Sequence, residues 1–183
     1  MRELGLKTEA ELQSYFTGRM DKFLAERGRR LVGWDEILEG GLAPGATVMS
    51  WRGIVGGVAA AKAGHDVVMT PTSHTYFDYR QSQNPDEPLG VGGFIPLERV
   101  YRYEPVPEGF TPGEARRVLG TQGQLWTEGI ANPHQLEYMA FPRLAALAEV
   151  AWTPPSKKDY ASFQERLKQQ QQRWRVMGVN FRP

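Results

Sequence analysis

Cysteine is absent from the 183 residues of the sequence, which excludes disulfide bonds, zinc sites built from thiolates and catalysis by a thiol. Net charge is nearly absent too: 22 Lys and Arg residues oppose 21 Asp and Glu residues, and no Lys/Arg cluster offers a surface to nucleic acid. Neither a signal peptide nor a run of roughly 18 apolar residues is visible. These absences predict a protein that binds neither nucleic acid nor membrane and is cytoplasmic by default.

The remaining composition is that of one folded domain over residues 1–183. Hydrophobic residues make up 40% of the chain and charged residues 23%, which is typical of a globular protein. The length excludes one large fold, because a complete eight-stranded β/α barrel takes about 250 residues and rarely fewer than about 200.

Apolar runs alternate with helical patterns, which predicts an α/β fold with a parallel sheet. Thr8 and Glu11 form a capping-box pattern at the start of a helix that ends at Gly28. Proline-rich residues 71–113 predict a long loop, and Pro142 predicts a break in a helix. Strands are predicted over 31–34, 47–51, 66–70 and 118–126, and further helices over 56–64, 132–152 and 159–177.

Aromatic and acidic residues stand where the predicted strands end. Because the carboxyl ends of parallel strands meet at one edge of a sheet, we expect these side chains to surround one pocket. Aromatic walls and carboxylate acceptors match a sugar ring, which has apolar C–H faces and a rim of hydroxyls. The alternative is that each Trp belongs to the core and that Asp35 caps a turn. The residues are Trp34, Asp35, Glu36, Trp51, Tyr76, Asp78, Trp126 and Glu128.

Four motifs at these positions resemble, in the same order, those of the family 20 glycoside hydrolases, the β-N-acetylhexosaminidases. They are GWDEIL at 33–38, SWRG at 50–53, Tyr-x-Asp at 76–78 and QLWTE at 124–128. The resemblance covers about residues 31–152. It implies a partial TIM-type barrel that comprises strands five to eight of a (β/α)8 barrel. Enzymes of the family remove terminal β-linked N-acetylglucosamine or N-acetylgalactosamine from glycosides, and the resemblance implies that no cofactor is needed.

The resemblance also implies roles for individual residues. Tyr76 would hydrogen-bond the acetamido oxygen, and Asp78 and Glu128 would hold sugar hydroxyls. The acetamido pocket would have indole walls, formed by Trp34, Trp51 and Trp126. No metal site is expected, because the three histidines, His65, His74 and His134, lack ligand spacing.

One family feature is missing. In the family's substrate-assisted mechanism the acetamido oxygen attacks the anomeric carbon, an Asp stabilises the oxazolinium, and the adjacent Glu protonates the leaving oxygen. That pair belongs to a His-x-Gly-Gly-Asp-Glu motif, which this sequence lacks. Asp35 and Glu36 are the adjacent acidic pair at a strand end, so they are the predicted catalytic pair, with Tyr76 as the third catalytic residue. The alternative is that the pair supports the sugar pocket or caps a turn.

A half-barrel would expose strand edges and an apolar inner face, which predicts a homodimer or a larger homo-oligomer. Two alternatives to hydrolysis stay open at this point. The chain is then either an N-acetylhexosamine-binding remnant without turnover, or a truncated piece of a longer hexosaminidase.

Overall fold

A computed structural model describes residues 1–183, which form two compact units. The first unit comprises Met1–Pro71 and Val106–Gly120, and the second comprises Thr72–Pro105 and Thr121–Pro183. The prediction of one domain over the whole chain stays a prediction. None of the helices combines the length and the apolar character that crossing a membrane requires.

Four short parallel strands and eight helices confirm the predicted α/β class. The strands lie in the order β1-β2-β3-β4, so each strand neighbours the next one in the sequence. In the register, Val32 lies opposite Thr47 and Val48 lies opposite Val67. The strands are β1 (Val32–Trp34), β2 (Thr47–Ser50), β3 (Val67–Met69) and β4 (Val118–Thr121), and the helices are α1 (Glu9–Ala25), α2 (Val55–Lys62), α3 (Thr72–Thr75), α4 (Leu97–Tyr101), α5 (Pro112–Ala115), α6 (Pro133–Ala140), α7 (Arg143–Trp152) and α8 (Tyr160–Met177).

The core of the first unit lies between the sheet and α2. Val48 and Ala60 are fully buried there. Gly57 allows the close approach of the helix, since a Cβ at this position would lie 2.5 Å from the Met69 sulfur and 3.0 Å from the Ser50 Cβ. The Ser50 hydroxyl also accepts a 2.8 Å hydrogen bond from the Gly57 N–H. A run of small residues in α2 therefore fixes the distance between helix and sheet.

The helix α1 begins as predicted, but its apolar face is not covered. The Thr8 hydroxyl accepts from the Glu11 N–H at 3.2 Å. The Glu11 carboxylate accepts from the backbone N–H of Lys7 instead of that of Thr8, which a capping box would use. No residue of α1 is buried, and Phe16 and Phe23 remain 59% and 48% exposed. Periodicity predicted the helix correctly because it is a local property, whereas burial depends on what packs against it.

The second unit is built around α4, α7 and α8. The Tyr101 hydroxyl donates to Glu149 at 2.9 Å and accepts from the Asp159 N–H at 2.8 Å, which ties the three helices together. Helices α6 and α7 are separated at Phe141–Pro142, so the predicted break is confirmed.

The predicted fourth strand is too long. β4 ends at Thr121, because Gly120 adopts a φ of +146°, which lies outside the β region and interrupts regular pairing. Beyond that point only a single bridge remains, between Gln124 and Tyr76. Trp126 therefore does not end a strand and instead precedes a 3-10 turn, Thr127–Gly129.

Candidate functional site

Asp35 holds the segment that follows β2. Its side chain lies directly after β1 and is only 2% exposed. One carboxylate oxygen, Oδ2, accepts from the backbone N–H groups of Trp51 at 3.0 Å and Arg52 at 3.2 Å. The other oxygen, Oδ1, accepts from the Arg52 Nε at 2.5 Å. Both oxygens are therefore engaged, so this carboxylate fixes the path of the chain after the strand.

Glu36 holds the indole of the same tryptophan. Each of its carboxylate oxygens lies 3.0 Å from the Trp51 Nε1, which donates to them. Both acidic side chains reach one residue because the strand ends at Trp34 and Asp35 begins a 3-10 turn. The Glu36 carbonyl oxygen in turn accepts from the Gln13 side chain of α1 at 2.6 Å.

These contacts favour the alternative in which the acidic pair supports the pocket. Asp35 and Glu36 together anchor Trp51 at its backbone N–H and at its indole N–H. The Asp35 carboxylate caps no turn of its own, since its backbone partners lie after β2. The catalytic role predicted for the pair stays a prediction.

In the second unit, Tyr76 and Asp78 lie in a tight turn. Both are buried, at 7% and 3% exposure. The turn is closed by the Tyr79 N–H, which donates to the Tyr76 carbonyl at 3.2 Å, and the Val91 N–H donates to the Asp78 carbonyl at 3.0 Å. The Tyr76 and Tyr79 rings meet edge to face, with centroids 6.1 Å apart. The turn belongs to no strand, so its shape depends on these contacts.

The Asp78 carboxylate is buried without full hydrogen bonding. Its Oδ1 has no hydrogen-bond partner. Burial raises the pKa of Asp78 to about 6, and the charge of Glu128 raises it further, while a hydrogen bond with its own backbone and the charge of Arg143 oppose the rise. Asp78 is thus an acceptor that gains or loses a proton near neutral pH and has one oxygen available to a donor.

Trp126 and Glu128 lie on the surface of the same unit. Trp126 is 42% exposed and Glu128 is also exposed. Their turn is held by Gln135, whose side-chain amide donates to the Gly129 carbonyl at 2.8 Å. Close by in sequence, the buried Gln124 amide nitrogen has no partner. An exposed indole with a carboxylate two residues away suits contact with a sugar.

The predicted residues thus form two groups. In the first unit Asp35 and Glu36 gather around Trp51, beside the half-buried Trp34. In the second unit Tyr76 and Asp78 share a turn, and the charge of Glu128 acts on Asp78. The gathering of both groups around one ligand stays a prediction.

Sequence reasoning missed Arg143, which is completely buried at the start of α7. Its guanidinium donates to backbone carbonyls of the turn that carries Asp78. One signal was present, since Arg143 is a lone charge in the otherwise apolar stretch 139–148, and burial of a charge is unfavourable. Glu149, in the same helix, also has protein partners, because Arg166 and Tyr101 both donate to its carboxylate.

A parallel sheet in α/β order, with aromatic and acidic residues in the segments that follow its strands, is an arrangement found in β/α barrels. The chain belongs to family 20: the model of glycosyl hydrolase family 20, catalytic domain, matches residues 1–155. The fold predicted from the motifs, a part of a TIM-type barrel, is confirmed by family 20 structures that match the whole chain.

Three of the similar proteins match between 81% and 100% of the chain. It is 51% identical over 182 residues to a beta-hexosaminidase from Porphyromonas gingivalis, a match covering 99% of this chain and 23% of that protein. It is 40% identical to a beta-hexosaminidase from Vibrio furnissii, covering 81% of this chain and 25% of that protein. A crystal structure of the GH20 exo beta-N-acetylglucosaminidase from Vibrio harveyi with N-acetylglucosamine has a TM-score of 0.92 and 35% identity, covering 100% of this chain and 29% of that one. The chain therefore spans less than a third of the length of each.

Proposed function

We propose that this chain forms the part of a β-N-acetylhexosaminidase that holds a terminal β-linked N-acetylglucosamine or N-acetylgalactosamine residue. The observation that supports this most directly is the turn carrying Tyr76 and Asp78, with one Asp78 oxygen buried and unpaired in a family 20 chain. Such an oxygen costs about 1–3 kcal/mol when nothing donates to it. A sugar hydroxyl is a donor of the right kind.

Each side chain has a separate part in this proposal. Tyr76 hydrogen-bonds the acetamido oxygen of the sugar, and Asp78 and Glu128 accept from its hydroxyls. Exposed indole surface contacts the acetamido methyl group and the C–H face of the ring. This apolar role belongs to Trp34, Trp51 and Trp126.

The proposed chemistry is substrate-assisted and retains configuration. The acetamido oxygen of the substrate attacks the anomeric carbon as the bond to the leaving oxygen breaks, and a carboxylic acid gives that oxygen its proton. Water then opens the oxazolinium and releases the hexosamine. By holding the acetamido oxygen, Tyr76 keeps the attacking atom in line with the anomeric carbon.

Asp35 and Glu36 act in this proposal as positioning residues for Trp51. The support is that the Asp35 oxygens are engaged and that Glu36 accepts the indole N–H. Recognition of the acetamido sugar, and not proton transfer, is then the contribution of the pair. If Glu36→Gln abolishes nitrophenol release from an aryl N-acetylglucosaminide while N-acetylglucosamine still binds normally, this assignment fails and Glu36 is the acid.

Binding of N-acetylglucosamine, measured by titration calorimetry, tests the proposed site. Glucose is the matched ligand, because it lacks the acetamido group that Tyr76 would hold. We expect N-acetylglucosamine to bind more tightly than glucose, and Tyr76→Phe to reduce that preference. Arg102→Met, which changes an exposed arginine of the same unit, is the control variant. Equal affinity for the two sugars, or no binding of either, contradicts the proposal.

We also propose that the chain self-associates as a homodimer or a larger homo-oligomer. Exposed apolar side chains support this: Phe16 and Phe23 lie on α1, and Val32, in the edge strand β1, is 53% exposed. We expect light scattering at micromolar concentration to give at least twice the mass of one chain, and Phe16→Glu to lower it. A mainly monomeric wild-type protein contradicts the proposal.

A further inference from the structure

Arg143 is a buried cation whose partners are all backbone carbonyls. Its side chain is 0% exposed, and no carboxylate forms an ion pair with it. One terminal nitrogen, Nη2, donates at 2.6 Å to Phe77 and at 2.6 Å to Met139. The other, Nη1, donates to Tyr79 at 2.9 Å, Ile95 at 3.2 Å and Arg80 at 3.5 Å.

Burial of this charge is energetically unfavourable, but the buried guanidinium donates hydrogen bonds to several backbone carbonyls. Burial lowers the pKa of Arg143 to about 9, so the guanidinium remains protonated at neutral pH. Neutral carbonyls and the Phe77 ring, whose centroid lies 4.9 Å from the guanidinium carbon, compensate the charge only in part. An apolar side chain would fill this space at lower cost, but it would leave several carbonyls without a donor.

Three of the five carbonyls belong to the turn that carries Asp78. They are those of Phe77, Tyr79 and Arg80, on both sides of the acidic residue. This segment has almost no strand pairing of its own, only single bridges at Tyr76 and at Arg80. The guanidinium therefore holds the Phe77 and Tyr79 carbonyls in a fixed arrangement, while the Arg80 carbonyl also accepts from the Ile95 N–H at 2.8 Å.

We propose that Arg143 is a positioning residue of the sugar site. Its guanidinium fixes the turn so that Asp78 presents its unpaired oxygen to a ligand, and its buried positive charge stabilises the carboxylate when that oxygen must accept. The inference rests on the proposed function for the identity of the ligand, while the effect on the turn is independent of it.

The surrounding charges set the direction of the effect. Glu128 raises the pKa of Asp78 and Arg143 lowers it, so loss of the arginine charge raises the pKa of Asp78 further. Around Arg143 itself lie Glu87, Tyr138 and Arg182, in addition to Asp78. Neutralising Arg143 therefore leaves Asp78 facing the negative charge of Glu128 without its nearby cation.

Two substitutions separate the geometric part from the charge. Arg143→Lys keeps the positive charge, so we expect an unchanged pKa of Asp78. Because a lysine cannot donate to all five carbonyls, we also expect faster hydrogen exchange at the Val91 and Ile95 amides and about tenfold weaker N-acetylglucosamine binding. Arg143→Met removes both the positive charge and the hydrogen bonds, so we expect the pKa of Asp78 to rise as well. Carboxyl NMR measures this pKa. Val150→Ala, a core change in the same helix, is the control for lost stability.

The outcomes are distinct. If Val150→Ala, at equal loss of stability, reproduces the faster exchange and the weaker binding, Arg143 is only a structural residue and the inference fails. It fails as well if Arg143→Lys leaves exchange and affinity unchanged, which decides the matter even where Arg143→Met does not fold. If the wild-type protein binds no N-acetylglucosamine, the proposed function fails, whereas exchange at the turn and the pKa of Asp78 still test the positioning role.

Discussion

Asp78→Asn should stabilise the folded protein at neutral pH. Burial raises the pKa of Asp78 to about 6 from its ordinary value of 3.8, so the ionised carboxylate is less favourable in the folded protein than in the unfolded chain. Each pKa unit corresponds to about 1.4 kcal/mol, which makes the penalty about 3 kcal/mol above pH 6. Asparagine has nearly the same shape and carries no charge, so the substitution removes this penalty.

The penalty for the buried Asp78 carboxylate depends on pH, because only the ionised form is unfavourable in the folded protein. Between about pH 4 and pH 6 the folded protein retains a proton that the unfolded chain releases, so the stability of the wild-type protein falls as the pH rises through this window. Below about pH 4 both states are protonated and the penalty disappears. The stability difference between Asp78→Asn and the wild type should therefore be near zero in acid and reach its full size above pH 6.

Urea denaturation from about pH 2 to pH 8 measures this difference, with Asp66→Asn as a control of opposite sign. At Asp66 burial raises the pKa, but hydrogen bonds from Arg117 and Arg30 outweigh it and lower the pKa overall. Asp66→Asn should therefore be less stable than the wild type above about pH 4 and approach it only as the pH falls below that value. Parallel pH profiles for the wild type and Asp78→Asn would refute the reasoning, because the buried charge would then carry no penalty.

Three further substitutions test the packing, each by its urea midpoint. Asp35→Ala should lower the free energy of unfolding by about 3 kcal/mol, because two backbone amides and a guanidinium lose their buried acceptor. An unchanged urea midpoint would show that the Asp35 carboxylate does not stabilise the fold. Gly57→Ala should cost about 1–3 kcal/mol through crowding, whereas Gly18→Ala, in open space on α1, should stabilise by up to about 1 kcal/mol; equal effects would contradict the close helix packing. Tyr101→Phe should cost about 2 kcal/mol through two lost hydrogen bonds, and a neutral result would show that the three helices do not depend on it.

Local features of the fold could be predicted from the sequence because their causes lie within a few residues. Thr8 and Asp159 cap their helices through bonds to residues three positions on, and Pro142 separates α6 from α7. The family 20 motifs likewise identified the family correctly, since each motif is a short contiguous segment.

Contacts between distant positions could not be predicted in this way. The role of Asp35 depends on amides that follow the next strand, and Arg143 reaches the Phe77 carbonyl, 66 positions away in the sequence. The end of β4 at Thr121 depends on the conformation of Gly120, which composition does not specify. Periodicity indicates which residues are apolar, but only the folded arrangement gives each buried polar group its partner.

Asp35 and Asp78 show why burial alone does not distinguish a supporting residue from a binding residue. Their exposures are nearly equal, at 2% and 3%, and both follow predicted strands. Asp35 has protein donors for both oxygens, one of them a guanidinium, whereas Asp78 keeps an oxygen without a partner and faces the charge of Glu128. A folded protein retains such an unfavourable carboxylate at the expense of stability, and a bound donor relieves the cost. The same substitution, Asp78→Asn, should therefore raise stability and lower affinity for N-acetylglucosamine, a pairing that a purely structural carboxylate would not produce.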